Sequence, residues 1–400
     1  MMDTARDAAT EQGRVAILAE HYVEAPELMV AAQDPYSREY RDGVAAIHAT
    51  VSQRTDYRPA ESELTPIDPK ARALRPGIYA DGGSKHLGMF LEAIGQILQV
   101  IDAHPGTRVV EYGAGDGQLA LALARNGCDV TVVDIEERYL EAIRLQAQAI
   151  GVKIDCRLAE FARDEGLKDF DVVVFFEAFH HALDHGDMLD MLQRVLKPDG
   201  KIVFAGEPVI ERGGHWARTV PFPWGLRLDG LSLSAVVNYG WMELGFQEGY
   251  FIELLMRHGW LAEKHASLSN GRGTCYVARQ MRGCIDFSQP FMVDAWDQEA
   301  GWHGSESSGR WTGKKAILPV PKAATRLTLS VYNPLPWSAS FVVEPERRQV
   351  TVKPGERLDV TLAGNRDRIT INATAHNLSA LTEGRDTRVV GVMVERVMFA

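Results

Sequence analysis

The 400-residue sequence has few cysteines, no basic run and no long apolar run. Its four cysteines form no Cys-x-x-Cys pair and show no metal-ligand spacing, so neither a zinc module nor a disulfide framework is expected. The formal net charge of −11 argues against a nucleic-acid partner, because phosphate binding needs a basic face. No apolar stretch approaches a membrane span, and the N-terminus lacks the apolar core of a signal peptide. We therefore expect a soluble, cytoplasmic protein.

The pattern of residues along the chain changes twice. Residues 1–77 carry apolar residues at three- and four-residue steps and predict a helical N-terminal segment that ends in a proline-rich connector. Residues 78–282 alternate short β-branched runs with helical patterns, which predicts an α/β domain with a doubly wound, mostly parallel sheet. Residues 285–400 contain short strand patterns separated by turn residues, which predicts a separate antiparallel β-sandwich.

The second segment contains a strand, a glycine loop, a helix and a further strand, in the sequence VVEYGAGDGQLALALARNGCDVTVVD. Such a loop suits a nucleoside triphosphate, a dinucleotide or S-adenosylmethionine. A triphosphate loop needs Gly-Lys-Ser/Thr where this chain has Gly117, Gln118 and Leu119. A dinucleotide loop needs a third glycine at Gln118. Acids at Glu111 and Asp116 would repel a pyrophosphate, whereas a ligand with an ammonium and a sulfonium group tolerates them.

The pattern of Glu111, Gly113, Gly115 and Gly117 resembles motif I of the class I S-adenosylmethionine-dependent methyltransferases. This resemblance implies a Rossmann-like sheet and S-adenosyl-L-methionine as the cofactor. It implies that Asp134, which ends the next strand, accepts both ribose hydroxyls. It also implies that Gly82 and Gly83 fold over the methionine end of the cofactor. The full set of cofactor-binding residues that it predicts is Tyr79, Glu111, Gly113, Ala114, Gly115, Asp134, Ile135, Glu160, Phe161 and Glu177.

The stretch FFEAFHHALDH follows the fourth predicted strand and resembles the family's segment near the transferred methyl group. Because a neutral imidazole is the natural base near pH 7, His180 and His181 are candidate catalytic residues. Glu207 ends the fifth strand, at the sheet edge where ligands bind, and is the third candidate. The alternative is that His180 and His181 only pack against the following helix. For His185 we favour such a packing role. No metal pattern is evident, and we expect no metal.

The acceptor is predicted from residues outside this core. An insertion at about 208–248 is rich in aromatic residues beside Arg212, Arg218 and Arg227, a combination that suits a ligand with flat faces and an anionic group. The C-terminal segment resembles β-sandwich modules of bacterial polysaccharide-biosynthesis enzymes. There, Trp302 and Trp311 either stack on sugar rings, with Glu306 and Arg310 binding hydroxyls, or pack the sandwich.

These features together predict O-methylation of a saccharide during polysaccharide or glycoconjugate biosynthesis. Two alternatives stay open: a small-molecule O-, N- or C-methyltransferase of secondary metabolism, and a non-catalytic glycan-binding or assembly protein. Glu111 and Asp134 argue against the non-catalytic protein, because a domain that serves only as a scaffold needs no ligand-binding acids. The sequence leaves open whether the chain forms a homo-oligomer.

Overall fold

A computed structural model of the protein describes residues 17–18, 21–23, 30–54, 56–80, 83–211, 213–214, 216–289 and 300–400. Two residues named above, Gly82 and Arg212, lie outside this described part. The described chain divides into two compact units. The first unit holds the described residues up to Tyr250 together with Lys264–Val277, and the second holds Phe251–Glu263 and the residues from Ala278 onward.

Between residues 38 and 80, the described residues of the first unit form four helices. The Ser37 hydroxyl accepts a hydrogen bond from the amide of Tyr40 at 3.1 Å and so caps the first helix. Two later helices begin at Pro59 and Pro69, where a missing amide proton costs nothing. The prolines therefore start short helices rather than only interrupting them. The helices are α1 (Arg38–Ser52), α2 (Pro59–Ser62), α3 (Pro69–Leu74) and α4 (Gly77–Ala80).

The α/β part of the chain is built around a seven-stranded sheet. Its elements are α5 (Gly83–Ile101), β1 (Arg108–Tyr112), α6 (Gln118–Arg125), β2 (Asp129–Asp134), α7 (Glu137–Ile150), β3 (Asp155–Leu158), β4 (Phe170–Phe176), α8 (His185–Val195) and β5 (Leu196–Ala205). They are followed by β6 (Val209–Ile210), β7 (Trp224–Leu226), α9 (Gly230–Tyr239), β8 (Leu244–Gln247), α10 (Glu248–Arg257), β9 (Trp260–His265) and β10 (Cys275–Gln280). The strand order is β3-β2-β1-β4-β5-β10-β9, and the pairs from β3 to β5 are parallel.

The strand order of this sheet fixes where a ligand can bind. The chain moves outward from β1 to β2 and β3, and then returns to the other side of β1 with β4. Helices that leave β1 and β4 therefore diverge, and a crevice opens at the carboxyl ends of these two strands. Valines at the centres of the strands, such as Val109, Val130 and Val174, form one buried cluster with helix residues such as Leu119 and Ile143. The Rossmann-like arrangement predicted from the sequence is thus present.

The predicted insertion after β5 forms a small sheet of its own. Its order is β6-β8-β7, with β6 parallel and β7 antiparallel to β8. The aromatic side chains of Phe222 and Trp224 are buried, and Trp224 Nε1 donates to the carbonyl of Pro35 at 2.8 Å. Three of the insertion's six Phe, Trp and Tyr residues (Phe222, Trp224 and Phe246) are thus buried and serve its packing.

The second unit contains two larger antiparallel sheets. Its strands are β11 (Cys284–Asp286), β12 (Trp302–Glu306), β13 (Gly309–Thr312), β14 (Lys315–Pro319), β15 (Arg326–Tyr332), β16 (Ala339–Glu344), β17 (Arg348–Val352), β18 (Arg357–Ala363), β19 (Arg368–Ala373), β20 (His376–Asn377), β21 (Val389–Val390) and β22 (Met393–Phe399). One sheet has the order β12-β13-β22-β15-β18, with β11 also on β22, and the other has the order β14-β19-β16-β17. The predicted C-terminal antiparallel β region is confirmed.

The two tryptophans proposed to stack on sugars are buried inside this unit. Trp302 is 3% exposed, stacks on Phe287 at 4.6 Å and donates from Nε1 to the carbonyl of Ile317. Trp311 is 4% exposed, and the buried Arg310 beside it is 2% exposed. Of the two interpretations, the structure supports packing, because a buried indole cannot stack on a sugar ring. Glu306 is likewise engaged, since its carboxylate pairs with Arg388 at 2.7 Å.

Among the described residues, no helix has both the length and the apolarity that a membrane crossing requires.

Candidate active site

The glycine loop connects β1 to α6, and its three glycines differ in how closely other atoms approach them. Gly113, Gly115 and Gly117 have φ angles of +65°, +51° and +69°, in the left-handed region that favours glycine. A Cβ on Gly117 would lie 2.6 Å from Cγ1 of Ile143, and one on Gly113 would lie 2.9 Å from the Cβ of Ala178. No atom of the described chain lies within 4 Å of a Cβ on Gly115, so this glycine borders open space. The loop is both tight and open toward a ligand.

Gly117→Ala is expected to lower the free energy of unfolding by about 1–3 kcal/mol, the cost of a strained backbone position. The added methyl group must also displace Ile143. Gly115→Ala is the matched control, because it has a similar φ but no neighbouring atom to displace. Urea denaturation of both variants measures the difference. An equal loss of stability in the two would contradict the packing argument.

A first cavity of about 310 Å³, the Glu111 cavity, lies over this loop and is lined by Gly77, Phe90, Glu111 and Asp116 among others. Glu111 is 2% exposed, and its Oε2 has no hydrogen-bond partner within the described chain. Burial raises the pKa of this carboxyl to about 8. A buried acceptor without a donor is costly, so a ligand that brings a positive, hydrogen-bonding group is favoured here.

A second cavity of about 380 Å³, the Asp134 cavity, lies beside the first. Asp134 ends β2, and its two carboxylate oxygens accept hydrogen bonds from the amides of Glu136 at 2.9 Å and Gly115 at 3.3 Å. Burial raises the pKa of Asp134 to about 6, so the carboxylate form prevails at neutral pH. The two amides fix the carboxylate while each oxygen keeps capacity for another donor. Ile135, Glu160 and Phe161 line the same cavity.

The two cavities share four lining residues, Gly113, Gly115, Tyr139 and Glu177. One extended ligand can therefore occupy both. Glu177 has a φ of +51°, which is rare for a residue with a Cβ, and its carboxylate lies 3.0 Å from Nη1 of Arg272. Such strain is typical of functional sites, where the surroundings hold a side chain in an unfavourable backbone conformation.

Nine of the ten residues predicted to bind the cofactor line one or both cavities, and Tyr79 does not. The side chain of Tyr79 is 44% exposed. Its neighbours Gly77 and Ile78 line the Glu111 cavity instead, because the amide of Gly77 donates to Asp116 Oδ2 at 2.6 Å and draws this end of α4 onto the loop. Gly83 lines neither cavity.

His181 lines the Asp134 cavity beside Glu63 and Trp241, and this group of residues is called the far end of the cavity. Its Nδ1 lies 3.2 Å from Oε2 of Glu63, whose other oxygen, Oε1, accepts hydrogen bonds from the Tyr57 hydroxyl and from the amide of Met242. Burial alone would lower the pKa of His181, but the negative charges of Glu63 and other carboxylates outweigh it and raise this pKa to about 9. A protonated imidazole cannot accept a proton, so the predicted general-base role of His181 does not fit neutral pH.

His180 and Glu207, the other two predicted catalytic residues, line neither cavity. The buried Glu207 carboxylate accepts hydrogen bonds from the amides of Ala178, Phe179 and His180, and lies 2.8 Å from Nδ1 of His180. These bonds hold the short turn at Phe179–His181 in shape. Glu207 therefore positions the turn that carries His181 rather than contacting a ligand in these cavities.

The interpretation of His185 as a packing residue agrees with the structure. It is 3% exposed, and its Nε2 lies 2.8 Å from the hydroxyl of Tyr250. Two of the three arginines predicted to bind an anionic acceptor, Arg218 and Arg227, lie elsewhere. Arg218 donates to the Tyr22 hydroxyl, Arg227 donates to Asp229, and neither lines a described cavity.

Several lining residues could not be identified from the sequence. Glu63 and Tyr57 come from the proline-rich connector, and Trp241 comes from the insertion, far from any motif. Among the lining residues that we did not predict, only Glu136 could have been identified from the sequence. It lies two residues after Asp134, the predicted ribose-binding residue, at the start of a helix. Its carboxylate accepts a hydrogen bond from the amide of Thr65 at 3.1 Å and so ties the connector to α7.

Comparison with known proteins identifies the domain. Residues 110–204 match the family model of a methyltransferase domain. Ubiquinone biosynthesis O-methyltransferase from Idiomarina loihiensis is 37% identical over 102 residues, which cover 25% of this chain and 42% of that protein. The protein of the same name from Stutzerimonas stutzeri is 34% identical over 110 residues, which cover 26% of this chain and 47% of that protein. This chain therefore spans less than half the length of these relatives.

A solved structure also resembles part of the chain. The 1,6-didemethyltoxoflavin-N1-methyltransferase from Burkholderia thailandensis, with bound 1,6-didemethyltoxoflavin and S-adenosylhomocysteine, covers 54% of this chain and 91% of that chain at 20% identity, with a TM-score of 0.36. The assignment depends on the family model, which matches residues 110–204 as a methyltransferase domain. The prediction of an S-adenosyl-L-methionine-dependent methyltransferase is thereby confirmed for this domain.

Proposed function

We propose that the whole protein is an S-adenosyl-L-methionine-dependent methyltransferase that methylates a hydroxyl oxygen of a small acceptor. The observation that carries this proposal is the pair of adjoining cavities that share Gly113 and Gly115. Glu111 lines one cavity, Asp134 lines the other, and His181 lies at the far end of the second. The partial similarity to proteins named O-methyltransferases supports oxygen as the methylated atom.

The residues present fit the charges of the cofactor. The unpaired Glu111 oxygen is matched by an ammonium group, and the backbone-anchored Asp134 carboxylate is matched by a pair of ribose hydroxyls. Phe161 and Ile135 provide apolar surface beside Asp134, which suits a flat base. When bound, S-adenosyl-L-methionine supplies an electrophilic methyl group on a sulfonium sulfur.

The far end of the Asp134 cavity, which we name the acceptor end, supports a role for His181 in binding and activating the acceptor. Through its ion pair with Glu63, His181 presents a positive group to the cavity. A positive group beside the acceptor oxygen stabilises the negative charge left on that oxygen when the hydroxyl proton passes to solvent water, and the charged oxygen is the better nucleophile. His181 therefore orients and activates the acceptor, and the turn held by Glu207 keeps it in place.

The lining of this end favours a flat, largely apolar acceptor. Leu183, Met188 and Met191 line the cavity together with the ring of Trp241. Within the described chain, the buried Nε1 of Trp241 has no hydrogen-bond partner, so it is available to an acceptor oxygen. This supports the small-molecule alternative over the saccharide acceptor predicted from the sequence, because Trp302 and Trp311 are buried and Arg218 and Arg227 are paired elsewhere.

The acceptor class is tested by incubating the purified protein with isotopically labelled S-adenosyl-L-methionine and two acceptor sets. One set contains aromatic compounds with neighbouring hydroxyls, and the other contains nucleotide sugars and oligosaccharides. Mass spectrometry of the products is expected to find methyl ethers in the first set. Labelled products only in the second set would restore the saccharide prediction. Failure to bind the cofactor at all would overturn the enzyme proposal.

Cofactor binding at pH 7 is expected to release about one proton per chain, because Glu111 has a pKa of about 8 when free and pairs with an ammonium group as the carboxylate. For the same reason, affinity should rise about ninefold between pH 6 and pH 7, close to the tenfold limit for one proton. Calorimetry in two buffers with different ionisation enthalpies measures the release. Glu111→Gln should abolish it, and binding by the wild type without proton release would contradict the assigned role of Glu111.

A further inference from the structure

The turn at Phe179–His181 brings two histidines into contact with a glutamate that lies more than sixty residues later in the chain. One donor atom from each of His180, His181 and Glu243 lies within 4.8 Å of the others. Nε2 of His180 is 3.7 Å from Oε2 of Glu243, and the two imidazole centroids are 4.3 Å apart. His180 and Glu243 are buried, with exposures of 6% and 8%. The cluster is thus largely buried in the fold, unlike a chance group of exposed surface side chains.

Each imidazole is held through its other nitrogen by a second carboxylate. Nδ1 of His180 lies 2.8 Å from Glu207, and Nδ1 of His181 lies 3.2 Å from Glu63. This arrangement leaves Nε2 of each ring for another partner. A carboxylate on the far nitrogen is the usual device that fixes the orientation of a metal-binding histidine and raises its basicity. Two such histidine–carboxylate pairs on adjacent residues indicate a metal site more strongly than the proximity of three donor atoms alone.

The charges around the cluster favour a cation. The carboxylates of Glu63, Glu207 and Glu243 all contact one of the two imidazoles. The nearby guanidinium of Arg227 reaches Glu243 only at 3.9 Å, and its Nε donates to Asp229 at 2.9 Å. Three carboxylates therefore surround two imidazoles, and a divalent ion would balance the excess.

We propose that His180, His181 and Glu243 form a site for a divalent transition-metal ion, with zinc or an ion of similar preference as the ligand. Donor atoms around tetrahedral zinc are about 3.3 Å apart, as its bonds of about 2.0–2.1 Å require. The observed 3.7 Å between His180 and Glu243 needs only small side-chain rotations to reach this value. Two imidazoles with one carboxylate suit zinc, iron, cobalt or nickel, whereas magnesium prefers oxygen ligands.

Three protein ligands leave a coordination position open, as in catalytic rather than structural zinc sites. Of the three ligands, His181 lines the Asp134 cavity, and an acceptor hydroxyl that reached the ion from there would have its O–H bond polarised. A metal-bound His181 has lost the extra proton assigned to it above, so the ion and not the imidazolium would then supply the positive charge beside the acceptor oxygen. This role of the ion rests on the proposed function, whereas the binding of the ion does not. The absence of metal-ligand spacing in the sequence is explained by the distance in sequence between Glu243 and the histidine pair.

The site is tested by titrating Co²⁺ into the chelator-treated, full-length protein and following the visible absorption of the bound ion. We expect one ion per chain, displaced by Zn²⁺ but not by excess Mg²⁺. Glu243→Gln and His180→Ala should each weaken Co²⁺ binding at least about tenfold, and Glu207→Gln should weaken it about 10–100-fold by releasing the His180 ring. Exposed Glu141→Gln and His104→Ala are the matched controls and should bind like the wild type.

Circular dichroism and the melting temperature of each variant identify any that fails to fold, and the remaining variants then decide the result. Wild-type protein without saturable Co²⁺ binding would overturn the site, as would folded Glu243→Gln and His180→Ala variants that bind like the wild type. Specific Co²⁺ binding by a protein that shows no methyl transfer with any acceptor would support the metal site and count against the proposed function alone.

Discussion

His181→Ala is expected to lower kcat/KM by about 10²–10³ while leaving the affinity for S-adenosyl-L-methionine unchanged, the loss typical of one preorganised group that stabilises charge at the reacting oxygen. His181 lies at the acceptor end of the Asp134 cavity, and its partner Glu63 holds it there. The variant removes this positive group but leaves Asp134 and the glycine loop intact. Steady-state kinetics with the best acceptor, together with calorimetry of cofactor binding, measures the two quantities separately.

Two further variants make this result specific to the acceptor end. Glu63→Gln keeps an oxygen for the amide of Met242 but loses its charge, so it should lower kcat/KM by less than His181→Ala. His104→Ala removes an exposed histidine and should behave like the wild type. If His181→Ala folds and keeps kcat/KM within about threefold of the wild type, far less than the loss of one such group costs, the assigned role of His181 is wrong.

Asp134→Asn is expected to weaken S-adenosyl-L-methionine binding by about 1.5–3 kcal/mol, or about 10–150-fold, the range for hydrogen bonds to a charged group. The two ribose hydroxyls are both donors to this carboxylate, and an amide has one oxygen where the carboxylate has two. The asparagine still offers that oxygen to one of the two amides that anchor the native side chain, which limits damage to the loop. Isothermal titration calorimetry measures the dissociation constant.

Asp129→Asn is the matched control, because Asp129 begins the same strand at its opposite, exposed end. It removes a carboxylate of the same type without touching the cavity, so cofactor affinity should not change. Equal affinity in folded Asp134→Asn and wild-type protein would contradict the assignment of Asp134 to the ribose. Weaker cofactor binding by Asp129→Asn would show instead that the loss of a negative charge on the strand, and not the loss of a specific hydrogen bond, lowers the affinity.

The cofactor side of the site could be predicted because its residues are close together in the sequence. Glu111, the three glycines and Asp134 fall within a single strand–loop–helix–strand unit, and each position follows from the geometry of that unit. The strand patterns of the α/β and C-terminal segments were equally readable, since buried parallel strands and short alternating strands leave different apolar patterns. Local patterns were sufficient wherever the structure is local.

The acceptor side could not be predicted in the same way. Glu63 and Trp241 reach the cavity from segments that lie on opposite sides of the motif in the sequence, and Glu243 reaches the histidine pair from the insertion. Their positions depend on tertiary packing, which a single sequence does not encode in its spacing. The same limitation explains Glu207, whose place at the end of a strand suggested contact with a ligand. The structure uses its carboxylate to hold three backbone amides.

The connector between α1 and α5 touches both cavities, and this has a thermodynamic consequence. At one end the amide of Gly77 donates to Asp116 of the glycine loop, and at the other Glu63 and Tyr57 hold the segment that carries His181. In the proposed function, the cofactor extends along both cavities and the acceptor lies beside His181, so a displacement of this segment by either ligand would alter the site of the other. The cofactor and the acceptor must then change each other's affinity by the same factor, since such coupling between two bound ligands is reciprocal. A segment that looks like a linker thereby couples the occupancy of the two sites.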